Sequence, residues 1–419
     1  MKRKIKKTLM IWIMVFVTFT TCSVQGVTSK GKDTPEQIVD KYFSSRMRAI
    51  VTQKVEDMDV FFSKKYPYSQ KNLLFNHCYI LRDYIINFAE GDYIIERVEP
   101  MLIIMENEKN KEHCCIRATL LCNLYWNAGN PLGESVASQL LENHQINLTY
   151  EEDGWKIERD IFCTEAGSSL KAEEEDLEIL IQKDNEFRVR AATAIEKAKE
   201  SAPARIKIIE DKDVDMNNAA LTSTNNKTPE DKNKIYNRAL AYNYAITYAL
   251  VPNRAFRNME VTFDTGDATN FVSQCIKAGG ALCAYNEALP WYYESKNTHS
   301  TLDDTWSWHW STPRGLFYIL DGNYKKNIFG PKAKIKVIKG DNSFDKSMTS
   351  DIMLGDVIQY AKGENADSIY HSSIVTGFLY NSGKGWYEPL VSQHSSNLLN
   401  VPWKKGAYKT YFISLTEIN

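Results

Sequence analysis

Residues 266–280 constrain the fold of this chain more than any other segment. Phe271, Val272 and Cys275 recur at helical spacing and form one apolar face, and a glycine pair ends the helix. Ala268 therefore occupies the first turn. Backbone amides without partners and the positive end of the helix dipole make such a turn the place where a thiolate is stabilised.

Alternating segments follow this helix and predict strands. Residues 355–360 alternate in polarity, His371 leads directly into an apolar strand, and residues 386–391 form another strand that runs into His394. A helix packed on antiparallel strands is typical of an α+β domain. We therefore expect the side chains at 268 and 371 to face each other across a cleft.

The region from about 230 to 415 resembles the putative amidase domain of secreted Gram-positive proteins, a relative of the CHAP and NlpC-like cysteine hydrolases with a papain-like fold. The similarity is in ordered motifs. These are Tyr236-Asn237-Arg238, Asp267-x-Thr269-Asn270-Phe271-Val272-Ser273-Gln274-Cys275, Trp291-Tyr292-Tyr293, Trp306-Ser307-Trp308, Gly355-Asp356-Val357-Ile358-Gln359-Tyr360, His371-Ser372 with Ile374-Val375-Thr376, and Ser392-Gln393-His394.

The resemblance implies a cysteine–histidine pair that attacks an amide bond in peptidoglycan. It places Ala268 at the nucleophile position, His371 as the general base and His394 as the residue that orients it. Two departures matter, because alanine has no nucleophile and Tyr370 stands where the family commonly has an acidic residue. The remaining candidate residues for binding a ligand are Asp267, Gln274, Trp291, Trp308 and Asn397.

No neighbouring residue is placed to substitute for the missing thiol. Thr269 points about 100° further around the helix, and Cys275 lies roughly 10 Å along its axis. We therefore predict that covalent catalysis fails in this chain. Either the alanine is natural and the domain has become a binder, or it replaces the cysteine of an active parent.

The N-terminal half predicts a second α+β unit over residues 34–165. Thr34 and Gln37 form a capping box, a second helical stretch follows, and four alternating segments end in a hairpin at Glu152-Asp153-Gly154. Helices followed by an antiparallel meander resemble the cystatin-like and nuclear-transport-factor-like cone domains. Such a cone either encloses a ligand or serves as a docking or spacing unit. We expect a solvated connecting helix over 170–200, a linker over 201–228 and the amidase-like domain over 229–416.

The first 26 residues have the order of a secretory signal peptide, in which five basic residues precede an apolar run that is short for a membrane span. If residues 1–26 are not cleaved, this segment would anchor the chain to a membrane. Cleavage removes five of 51 basic and none of 53 acidic residues, which leaves a net charge of −7. Such an acidic balance argues against nucleic acid as a partner. The seven remaining cysteines show no disulfide or zinc spacing, and we expect no metal or cofactor.

Three functional hypotheses follow. The first is a secreted, cell-wall-associated pseudoenzyme that binds peptidoglycan peptide or glycan. The second is a peptidoglycan amidase or endopeptidase whose active form carries cysteine at 268. The third is a non-catalytic partner in envelope or spore assembly.

Overall fold

The structure is a computed structural model that describes residues 32–126, 136–164, 167–200, 206–208, 235–260, 266–296, 300–340, 347, 351–381 and 386–418. The expected signal peptide at 1–26 lies outside these residues. Within the expected linker, 201–228, only residues 206–208 are described, and they form a short strand.

The N-terminal half begins with helices. The capping box at Thr34 and Gln37 is confirmed, since the threonine side chain accepts from the Gln37 amide and the glutamine side chain accepts from the Thr34 amide. Pro67 starts the second helix, whose middle widens into a π-helical segment. The helical elements are α1 (Pro35–Thr52), a 3₁₀ helix (Glu56–Phe61), and α2 (Pro67–Tyr79), which continues through Ile80–Ile86 to Asn87–Ala89.

Four long antiparallel strands follow, as the alternation of the sequence predicts, and the turn before Gly154 joins the last two. Two short strands, a 3₁₀ helix at Ser169–Glu173 and one long helix complete this half. The elements are β1 (Ile95–Lys109), β2 (His113–Trp126), β3 (Val136–Glu151), β4 (Gly154–Ile161), β5 (Cys163–Thr164), β6 (Gly167–Ser168) and α3 (Leu177–Glu200).

Helix α3 does not separate two halves as a solvated connector. Leu180, Ala191 and Ile195 are buried, and the helix packs on α2 and its π-helical continuation. The amphipathic spacing of α3 therefore serves the N-terminal core.

The C-terminal half alternates helices with strands before its antiparallel sheet. Its elements are β7 (Ile206–Ile208), α4 (Arg238–Tyr248), α5 (Ala268–Ala278), β8 (Tyr293–Glu294), β9 (Thr305–Trp306), α6 (Trp308–Ser311), α7 (Pro313–Lys326), β10 (Lys332–Lys339), β11 (Val357–Ala361), a 3₁₀ turn (Ala366–Ser368), β12 (Ile369–Asn381), β13 (Trp386–Gln393), β14 (Asn397–Pro402) and β15 (Lys409–Glu417).

One sheet runs through both halves. Eleven of the strands in the described residues belong to it, and its main path is β1-β2-β3-β14-β13-β12-β11-β15-β10. The link is β3, whose later residues pair with β4 while Gln139 to Leu141 pair with Leu399 to Asn397 of β14. The α+β class is confirmed, and the two halves share a sheet.

Two apolar cores lie on this sheet. The first joins the N-terminal helices and sheet to one face of the C-terminal strands, where it includes Tyr360, Val391 and Phe412. The second lies on the opposite face of those strands, and it contains Phe271 of α5 and Ile374 of β12. The described helices include none that combines the length and the apolar character needed to cross a bilayer.

Candidate active site

The start of α5 is fixed by the carboxylate of Asp267, which is buried. One oxygen, Oδ1, accepts from the Met259 amide at 2.9 Å and from Asn270 Nδ2 at 2.8 Å. The other oxygen, Oδ2, lies 2.6 Å from Nδ1 of His394. Asp267 therefore joins the helix start to the end of β13, and both of its carboxylate oxygens are engaged within the protein.

His394 is held at both ring nitrogens. Nδ1 contacts the Asp267 carboxylate, and Nε2 lies 2.7 Å from the carbonyl oxygen of Tyr248. Both ring nitrogens therefore lie within hydrogen-bond distance of an oxygen atom of the protein. The ring also stacks on Phe271, with 4.1 Å between centroids. His394 therefore anchors α5 through its contacts with Asp267 and Tyr248, and the structure pairs it with Asp267.

Ala268 is the first residue of α5 and is only 6% exposed. Its neighbour Thr269 places its hydroxyl 3.0 Å from that of Ser372 on β12. The helix start therefore lies directly against this strand, as the sequence motifs predict. The side chain presented at 268 is a methyl group, which has neither a proton nor a lone pair for the chemistry of an amidase.

His371 lies on the other face of the sheet from α5. It is the register partner of Tyr360, and the two rings are stacked with centroids 6.0 Å apart. Ser373, two residues on, contacts the Tyr360 hydroxyl, whereas Ser372 contacts Thr269 on the α5 side. Because neighbouring strand residues point to opposite faces, the His371 side chain does not face residue 268. The expected cleft arrangement of these two side chains is wrong for this structure.

Gln274 and Asn397 hold the surrounding helices. The Gln274 side-chain oxygen accepts from the Tyr244 hydroxyl at 2.7 Å, and Asn397 Nδ2 donates to the carbonyl of Leu250 at 3.1 Å. Both side chains are buried. They fix α4 and its C-terminal end beside the site, and in this structure neither contacts Ala268 through a hydrogen bond.

The two tryptophans expected to line a cleft differ. Trp291 is fully buried, packs on Trp310 and directs its Nε1 towards the hydroxyl of Ser273 at 3.3 Å, so its placement in the cleft is wrong. Trp308 is 44% exposed and stacks with Tyr318, and Arg314 lies over both rings. Trp308 is the one of the pair that a ligand can reach.

Cys275 offers no substitute nucleophile. It is completely buried, and burial raises the pKa of its thiol well above the usual range. It therefore stays a neutral thiol in the second core. No group of three or more histidine, cysteine or acidic side chains is placed to hold a metal ion among the described residues.

The sequence did not indicate the turn that follows His394. Ser395 and Ser396 both have positive φ, 62° and 76°, and the Ser395 hydroxyl accepts from the Asp267 amide at 2.6 Å. Gly266 has φ 83°, and a Cβ there would lie 2.9 Å from the same hydroxyl. The glycine is therefore needed for the close approach of this turn. The Ser-Gln-His motif indicated the histidine. No sequence pattern predicts that the two serines after it adopt a left-handed conformation.

Residues 235–415 match the sequence model of the family described as "Putative amidase domain". The C-terminal part of the chain therefore carries a domain of this family.

Among curated proteins, the chain is similar to the uncharacterized protein YjcM of Bacillus subtilis strain 168. The two are 29% identical over 201 residues, which cover 46% of this chain and 39% of the relative. The matched part thus spans well under two thirds of that relative.

Among solved structures, the chain is similar to the intermembrane space region of the chloroplast protein ARC6, with 13% identity and a TM-score of 0.22 over 30% of this chain and 92% of that one. It is also similar to a structure from Thiobacillus denitrificans described as "Putative calcium/calmodulin-dependent protein kinase type II association domain", with 11% identity and a TM-score of 0.20 over 31% of this chain and 93% of that one. At such TM-scores neither likeness bears on fold or function.

Proposed function

We propose that this is a secreted protein that binds peptide or glycan of the bacterial cell wall through its amidase-type domain without cutting it. The observation that carries the proposal is the residue at 268. The helix start keeps its anchoring carboxylate, histidine and glycine, while the position that would carry the nucleophile holds a methyl group.

The placement of the histidines supports a binding role. Covalent amide hydrolysis needs a nucleophile within hydrogen-bond reach of its base. His371 packs on Tyr360 across the sheet, and both nitrogens of His394 are engaged. Neither imidazole is free to take a proton at residue 268. The helix N-terminus remains, and its positive end favours a carboxylate or a carbonyl oxygen of a wall peptide.

Secretion rests on the basic and apolar order of residues 1–26. The finer description of the domain as papain-like rests on the packing of α5 against β12 and on the order of the matched motifs. The exposed Trp308 supports a glycan contact, because sugar rings stack on aromatic faces. The N-terminal segment, the amidase-type domain and the exposed Trp308 together support attachment to the cell wall of a Gram-positive bacterium.

A second candidate is an active amidase or endopeptidase whose parent carries cysteine at 268. The specific observation in its favour is the intact frame of Gly266, Asp267 and His394 around the helix start. That function requires His371 or His394 to leave the contacts described above and face residue 268.

The test uses the full chain and purified peptidoglycan. We expect the protein to sediment with the wall material and to release no amines, and Trp308→Ala to weaken sedimentation. Ala268→Cys is the decisive variant, with Ala281→Cys as its control because Ala281 is also buried but lies beyond the end of α5.

Each outcome selects one function. Sedimentation without amine release from either cysteine variant supports the binding function. Amine release from Ala268→Cys alone would replace it with the active-parent function. Absence of both sedimentation and release would overturn the proposal and favour a partner in envelope or spore assembly.

A further inference from the structure

We propose that the N-terminal half is a positioning part of the candidate site, because a charge cluster buried inside it holds the turn at His394, which in turn contacts Asp267 at the start of α5. The name charge cluster refers to Arg46, Glu142, His144 and Asp160. The inference rests on the proposed function only in taking the start of α5 as the binding site. It replaces the expectation that the cone is a spacer or docking unit.

The charge cluster is a closed set of opposite charges in the N-terminal core. Arg46 Nη2 lies 3.1 Å from Glu142 Oε2, and Arg46 Nη1 lies 3.4 Å from Asp160 Oδ2. His144 lies between the two carboxylates, 2.7 Å from Asp160 and 3.2 Å from Glu142. All four side chains are buried. Charges this deep are stable only when their partners stay fixed, so the cluster is a rigid reference point.

Tyr79 links the charge cluster to the C-terminal half. Its hydroxyl donates to Glu142 Oε1 at 2.5 Å and lies 3.1 Å from the hydroxyl of Ser396. A phenol has one proton. Because that proton goes to the carboxylate, Ser396 is the donor in the second bond. The Tyr84 hydroxyl lies 2.8 Å from Glu142 Oε1 and 2.8 Å from the Tyr79 hydroxyl; because it also has one proton, which goes to the carboxylate, it packs beside Tyr79 without donating to it.

Ser396 lies in the turn that supports the site. Ser395, the residue before it, accepts from the amide of Asp267, and His394 before that contacts the Asp267 carboxylate. Two successive non-glycine residues with positive φ form a strained turn that persists only where its surroundings hold it. The bond from Ser396 to Tyr79 is a direct restraint of this kind. The geometry thus connects the buried cluster to the start of α5 through consecutive side chains.

Removal of the Tyr79 or the Ser396 hydroxyl should therefore change the environment of the His394 ring. Tyr79→Phe keeps the ring and deletes the atom that joins Glu142 to Ser396, and Ser396→Ala deletes the other end of the same bond. The control is Tyr68→Phe, a tyrosine of the same half whose hydroxyl lies 3.4 Å from Glu158 and does not contact the turn. All variants are made in the full chain with Ala268 retained.

The primary readout is the ¹⁵N signals of the His394 ring, assigned with His394→Gln, and the exchange of its ring protons with water. We expect Tyr79→Phe and Ser396→Ala to shift these signals and to speed the exchange about fivefold, the effect of one lost hydrogen bond. Tyr68→Phe should leave both unchanged. Asp267→Asn supplies the positive control, because it alters the direct partner of the ring.

The result that would overturn the inference is an unchanged His394 spectrum and exchange rate in folded Ser396→Ala, together with a clear change in Asp267→Asn. Ser396→Ala is the milder variant, so the test holds even if Tyr79→Phe does not fold. Sedimentation with peptidoglycan is measured separately on the same proteins. If the His394 signals shift but no variant sediments, the positioning role stands and the proposed wall binding is refuted. If the proteins sediment but the His394 signals do not shift, wall binding stands and the positioning role is refuted.

Discussion

At the scale of single residues, the buried contact of Asp267 with His394 organises the candidate site. The carboxylate receives two hydrogen bonds on one oxygen and the imidazole on the other. It thereby fixes the start of α5, the helical residue Met259 and the end of β13 together. The sequence marked both residues as functional candidates, but their pairing could not be read from it because 126 positions lie between them.

This pair predicts a large effect on stability. Asp267→Asn leaves the doubly hydrogen-bonded ring of His394 buried opposite a neutral amide. The free energy of unfolding should fall by about 2 kcal/mol, the usual cost of disrupting buried hydrogen bonds to a carboxylate. Urea unfolding of the full chain, followed by tryptophan fluorescence, measures the loss.

The matched control for that measurement is Asp321→Asn. Asp321 contacts Lys325 one helical turn away on the surface of α7. Exposed pairs of this spacing contribute about 0.5 kcal/mol or less. Equal effects of the two substitutions would show that the pair of Asp267 and His394 has no special weight.

At the scale of elements, the sequence predicted the positions of the strands well but the orientation of the His371 side chain wrongly. Alternation is a local property, and β11 and β13 begin and end within a few residues of the expected segments 355–360 and 386–391. The face on which His371 lies depends on pairing. A register shift between Tyr360 and Ala361 leaves Tyr370 as an extra residue in β12. One extra residue in a strand reverses the face on which each later side chain lies. The local sequence pattern does not indicate where such an extra residue occurs.

The charge cluster joins α1, β3 and β4, and it makes the stability of these elements depend on pH. Burial opposes protonation of His144, but the carboxylates of Asp160 and Glu142 outweigh it, so the pKa of His144 is raised. Burial opposes ionisation of Glu142, but Arg46 outweighs it and lowers the pKa of Glu142 to about 2.

The direction of the pH effect follows from these shifts. The contribution of His144 is fully present below its unfolded pKa of about 6.5 and is lost as the pH rises through the raised folded value. The free energy of unfolding of the wild type relative to His144→Gln should therefore decline above about pH 6.5. Urea unfolding at a series of pH values measures this difference.

The control for the pH series is His113→Gln, because His113 is 56% exposed at the start of β2 and lies outside the cluster. Comparing the two series separates the pH dependence of the charge cluster from effects that any histidine substitution in β2 or β3 would have. A constant difference for His144→Gln would contradict the assignment of a charged histidine to the cluster.

At the scale of the whole molecule, the shared sheet was beyond the reach of sequence analysis. The composition of residues 201–228 is that of a linker, and each half carries a complete set of helices and strands. The contact that fuses them is the pairing of β3 with β14, two strands that are distant in the chain and short where they meet. Strand pairing over such a separation leaves no local signal.

The shared sheet predicts that the two halves unfold together. The first core contains side chains from both halves, among them Leu120 and Leu140 from one and Leu398 from the other. Separation would expose the inner face of β13 and β14 to water, which costs about 25 cal/mol for each Å² of apolar surface. Calorimetry of the full chain should therefore show one heat-absorption peak.

Leu398→Ala should move the whole peak to lower temperature, since truncation of a buried leucine costs about 2–5 kcal/mol. Leu282→Ala, at a site that is 55% exposed, should leave it in place. Two resolved peaks, of which only one responds to Leu398→Ala, would mean that the halves are independent and that the β3–β14 pairing is not part of the stable fold.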